Sequence, residues 1–92
     1  MRENTPLFPL GNLVATPNAL GAVTQEQING MLDRHIRGDW GDVCKEDWKA
    51  NDRALVDGTR LFSVYKFASE KRCWIITEAD RSSTTVLLPS DY

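Results

Sequence analysis

The sequence predicts an α+β domain, a helical hairpin packed on a three- or four-stranded antiparallel sheet that closes in a C-terminal β-meander. Three observations predict it. Apolar residues recur at helical spacing from Gln25 to Ile36, a second helical stretch follows "GDWG", and from Thr59 onward the apolar period changes to two. At 92 residues, 41% hydrophobic and 26% charged, the chain is expected to form one domain over 1–92, with an irregular leader over 1–9.

The elements follow in order. "LGNLVA" alternates as a short strand, Leu13 and Ala15 on one side and Asn12 and Val14 on the other. Thr16 is placed to cap a helical turn that begins at Pro17, where a missing N–H costs nothing, and Gly21 ends it. Thr24 with Gln27 makes a capping-box pattern, and Ile28, Met31, Leu32, His35 and Ile36 then share one face, giving a helix over about 25–36. Gly38 supplies a left-handed stop. Beyond the turn, Asp42 is the expected N-cap of a helix running to about Val56, with Glu46 and Asp47 at its positive end and Trp48, Asn51 and Leu55 facing inward. Gly58 closes it.

In "RLFSVYKF", Leu61, Ser63, Tyr65 and Phe67 share one side and Phe62, Val64 and Lys66 the other. "ASEK" is a turn, "RCWIITE" a strand, "ADRSS" a turn, and "TTVLLP" a strand that Pro89 terminates. The core expected from these patterns comprises Ile28, Met31, Leu32, Ile36, Leu55, Leu61, Val64, Trp74, Ile76, Val86 and Leu88.

Charge narrows the function classes. A net charge of -2, from 13 acids and 11 bases, gives no broad basic surface, so a nucleic-acid-binding regulator is disfavoured. Its best support is "YKFASEKRCW", which interleaves basic and aromatic residues but is interrupted by Glu70. Pro6, Pro9 and Gly11 break the apolar run a signal peptide needs, and no stretch approaches the ~20 apolar residues of a membrane span, so the expected location is the cytoplasm. Cys44 and Cys73 lack zinc-ligand spacing and any CxxC pattern; both are expected as free thiols, with no metal or cofactor.

Two constellations could carry chemistry. "HIRGDWGDVCKEDWKAND" brings the only histidine, His35, close to Asp39 and Asp42, a set able to hold a divalent metal or perform acid–base work. The plainer reading is a packed histidine on the apolar face of its helix, followed by aspartates that cap turn amides. "TEADRSSTT" adds Glu78, Asp80 and Arg81 to hydroxyls at a hairpin tip, yet a serine nucleophile needs a positioned base, and His35 alone could serve. A small hydrolytic or metal-assisted enzyme would therefore use His35, Asp39, Asp42 and Glu78. A protein-binding surface would present Asp39, Trp40, Asp42, Asp80 and Arg81, because a tryptophan held on a tight turn is a rigid anchor. If Trp40 packs inward, it is instead a wedge that fixes the helical hairpin.

"HIRGDWGDVCKEDWKANDRAL", "RLFSVYKF" and "WIITEADRSSTTVLLPSDY" together resemble a family of small bacterial proteins associated with plasmids, prophages and other mobile elements, over about Leu10 to Tyr92. Some of its members carry a label referring to a type I restriction endonuclease subunit M, although a chain of this length has no room for a methyltransferase domain. The resemblance implies a mobile-element context and transfers no site residue. By analogy that context favours a compact protein that binds a macromolecular partner, as anti-defence inhibitors do.

Overall fold

A computed structural model describes residues 6–92. The elements are β1 (Asn12–Ala15), α1 (Pro17–Ala22), α2 (Gln25–Ile36), α3 (Lys45–Asp57), β2 (Leu61–Ala68), β3 (Lys71–Thr77) and β4 (Ser83–Leu87), followed by a short 3-10 turn over Pro89–Asp91. The class is α+β, with helices preceding a β-meander, as the change of period predicts. Among the described residues, no helix is long and apolar enough to cross a membrane.

Local chemistry accounts for most boundaries. The Thr16 hydroxyl accepts from the Ala19 amide to start α1, and Thr24 and Gln27 form the reciprocal capping box of α2. Gly58 adopts a left-handed conformation and donates its N–H to Ala54, closing α3. The start of α3 differs from expectation. Its N-cap is Cys44, which makes no side-chain cap bond, whereas the Asp42 N–H donates to the Val64 carbonyl at 2.7 Å. The nearby sheet edge captures Asp42 before the helix can use it.

The sheet has four strands in the order β1-β4-β3-β2. β2 pairs with β3 and β3 with β4, all antiparallel, whereas β1 runs parallel to β4. The sheet is thus mixed rather than wholly antiparallel: three helices separate β1 from the meander, and it returns on the far side of the last strand.

Pairing across the meander sorts the strands into two faces. Leu61, Ser63 and Tyr65 stand opposite Thr77, Ile75 and Cys73, and this face receives the helices through Ala19, Val23, Ile28, Met31 and Leu32. A second cluster gathers Phe8, Trp40, Ala54 and Leu61, with Trp48 and Leu55 at its margin. Val64, Trp74 and Ile76, expected in the same core, belong to the opposite face. Strand alternation separates them from Leu61 and Ile75. Part of the supposed leader is structural: Leu7 N donates to Ile36 O at 2.8 Å and Phe8 is buried, while residues 1–5 of that leader lie outside the described residues.

Candidate functional site

His35 sits at the end of α2, facing the sheet, with no exposed surface. Its Nδ1 lies 2.6 Å from Ser63 Oγ and its Nε2 2.9 Å from Thr77 Oγ1; Thr77 Oγ1 is 2.8 Å from Thr84 Oγ1, which donates to Leu10 O at 2.8 Å. One proton per hydroxyl orients the whole chain. The Leu10 carbonyl can only accept, so Thr84 donates to it and accepts from Thr77; Thr77 then accepts from Nε2–H, and Nδ1 takes the Ser63 proton. A neutral imidazole satisfies every group in the line. Burial, reinforced by the positive charge of Arg81, pushes the His35 pKa down to about 4. Phe8 and Trp40 close over the ring edge-on at 5.3 and 5.5 Å.

Trp40 is likewise fully buried. Its indole N–H donates to Asp52 Oδ1 at 3.0 Å, and its backbone carbonyl accepts from Val64 N. The exposed-anchor expectation for Trp40 therefore gives way to the wedge. The turn is locked by Gly41, whose φ of +78° and close approach to the Val64 carbonyl and the Tyr65 ring leave no space for a side chain.

The carboxylates named with His35 do not converge on it. Asp39 accepts from Arg34 at 2.8 Å and from Gly41 N at 3.2 Å, and the Arg34 hydrogen bond holds its carboxyl below the usual range. Asp42 lies 3.8 Å from Arg72, and Glu78 lies 3.8 Å from Arg60. Among the described residues, no three His, Cys, Asp or Glu side chains form a group able to hold a metal ion. The hydrolytic or metal-assisted set of His35, Asp39, Asp42 and Glu78 is not assembled, because the two nitrogens of the buried imidazole are both occupied.

The hairpin tip is also internally committed. Asp80 accepts from Ser82 N at 3.0 Å, and Arg81, at φ +62°, donates to the carbonyls of Thr59 and Ala54 at 2.6 and 3.0 Å while lying over Phe8. Arg81 clasps the C-terminal end of α3, giving the Ala54 carbonyl a second hydrogen bond beside that from Gly58 N and holding Thr59 just beyond the helix. Its guanidinium is a structural tie rather than a free contact for a partner.

What the sequence did not single out is the outer face of the sheet. Phe62 and Trp74 meet edge-to-face at 5.0 Å, and Trp74 and Tyr92 at 5.5 Å. With Arg60 and Ile76 they line a shallow depression of about 290 Å³, to which α1, α2 and α3 contribute no residue. Tyr92 is 73% exposed. The available signal was apolar residues at both parities of the strands: Phe62 and Val64 alternate with Leu61 and Tyr65, and Trp74 and Ile76 with Cys73 and Ile75. The same alternation divides "YKFASEKRCW": Tyr65 is buried on the helix side, while Arg72 and Trp74 face outward. Comparison with protein-family models, curated proteins and solved structures finds no match.

Proposed function

We propose that this protein acts by binding a protein partner through the outer face of its sheet. The observation that carries this reading is the Phe62–Trp74–Tyr92 array, three aromatic rings lining a depression to which α1, α2 and α3 contribute no residue. Rigid aromatics around a desolvated centre are the usual energetic anchors of protein interfaces. Arg60 borders the patch and already lies beside the Glu78 carboxylate, which suits a polar rim better than the unpaired cations of a phosphate-binding surface. The contact surface thus moves from the Trp40 turn to the opposite side of β2. In the mobile-element context implied by the resemblance, the partner class is a host defence protein and the action is inhibition by occupancy.

The test begins with affinity capture from host lysate and continues with the captured protein purified. Titration calorimetry then compares the parent chain with Tyr92→Ala and Trp74→Ala, each checked by thermal melt. Binding should weaken by at least about tenfold for Tyr92→Ala with an unchanged melt, the size expected for an interface anchor. Equal affinity of the folded variants and the parent would move the contact elsewhere.

A further inference from the structure

The two edges of the sheet are finished differently. At β2, Phe62 N–H donates to the Asn51 side-chain oxygen and Phe62 O accepts from its amide nitrogen, at 3.0 and 2.7 Å; Val64 N donates to Trp40 O and Val64 O accepts from Asp42 N. Those groups are closed to a further strand. At β1, Asn12 N and Thr16 N donate to the carbonyls of Ser82 and Val86 at 3.0 Å, in a parallel register that pairs Val14 with Thr85. Even-numbered residues therefore turn their backbone toward β4. Leu13 and Ala15 turn their N–H and C=O groups outward, where the order β1-β4-β3-β2 places no strand among the described residues.

Natural edges of this kind are usually protected by charge, proline or a bulge. β1 has none of these. From Thr5 to Gln25 the sequence contains no Asp, Glu, Lys, Arg or His, although charged residues make up 26% of the chain. Leu13, Val14 and Leu20 are 56%, 48% and 56% exposed. Beside the edge, Leu13, Ala15, Leu20, Ile28 and Leu32 border an apolar groove of about 200 Å³.

We propose that β1 is a dimerisation edge, onto which a second copy of the chain adds its own β1 in antiparallel orientation. The pattern is self-complementary. With Val14 on the two-fold axis, Leu13 of each copy faces Ala15 of the other, and the outward N–H and C=O groups of both residues are all satisfied. Leu13 and Ala15 point to the helix side of the sheet, so Leu13 of the second copy stands over the small Ala15 and its side chain enters the adjoining groove. An uncharged surface meets its own copy without like-charge repulsion, while an acidic or basic partner would find nothing to pair with. This inference is independent of the aromatic array, which stands on β2, β3 and Tyr92 and includes no residue of β1.

Light scattering across a concentration series should report twice the 10.4 kDa chain mass for the parent. Val14→Lys and Leu13→Lys should report one chain mass while retaining the parent circular dichroism spectrum. A single-chain mass for the parent at every concentration, or a dimer that survives both lysines, overturns the proposal. Should the lysine variants fail to fold, register-specific crosslinking decides. In a Cys44→Ser background, Val14→Cys places two thiols in a directly opposed pair within disulfide reach, whereas Leu13→Cys leaves its two thiols diagonally offset, with Cα atoms about 7–8 Å apart. Oxidation should give a covalent dimer only for Val14→Cys, and equal crosslinking of both, or of neither, overturns the proposed pairing.

Discussion

A histidine can be essential to a protein without meeting a substrate, and His35 shows how. Its neutral ring joins Ser63 to Thr77, and protonation would force the Ser63 hydroxyl to reverse inside a sealed core. Because burial lowers the folded pKa to about 4 from an ordinary 6.5, the unfolded chain binds more protons between these values. The stabilisation is fully present above about pH 6.5 and is lost as pH falls toward 4, by roughly 3 kcal/mol over the window. Denaturant titrations at a series of pH values should show this decline in the parent and a nearly flat response in His35→Gln, whose amide can still donate and accept. Parallel declines would assign the effect to another group.

The elements are joined by side chains that imitate missing backbone. Asn51, on α3, presents its amide to Phe62 as a further strand would, accepting from the N–H and donating to the carbonyl. Asn51→Asp keeps the size but loses the donor and sets a carboxylate against a carbonyl; stability should fall by about 2–4 kcal/mol, read from the denaturant midpoint. An unchanged midpoint would mean that the edge is closed by Trp40 and Asp42 alone. Arg81 works at the C-terminal end of α3 by holding the carbonyls of Ala54 and Thr59. Arg81→Ala should cost about 1–3 kcal/mol, and hydrogen exchange should quicken in the last turn of α3, including the Gly58 amide, before it quickens in β3. Uniform acceleration through both elements would instead make Arg81 part of the global unfolding unit.

At the scale of the whole molecule, Cys73 reports on opening. Cys44 is exposed, whereas Cys73 is fully buried in the helix-facing core, and both are free thiols. Burial, with the charge of Asp91 adding to it, pushes the Cys73 thiol up to about 11. Under native conditions an alkylating reagent should therefore modify one thiol quickly and the second only at the rate of unfolding. Mass spectrometry over time should show a singly modified species that persists and shortens its life as denaturant is added. Rapid double modification would imply that β3 and β4 part without global unfolding.

The helices and the meander were legible because their signals are local: the Thr24–Gln27 box, the face formed by Ile28, Met31, Leu32 and His35, and the alternation after Thr59 each lie within a few residues. Burial of His35 was legible in the same way, from its place on that face. Its partners Ser63 and Thr77 were not, since they lie 28 and 42 positions away and become neighbours only when β2 pairs with β3. Trp40 looked like an exposed anchor because glycine-flanked turns are usually at the surface. Only the docking of that turn along β2 and beneath Phe8 turns the indole inward. The parallel return of β1, and the contrast between the capped β2 edge and a β1 edge left open among the described residues, were likewise decided by strand order. Strand order depends on which distant segments pair, information that no short window of sequence contains.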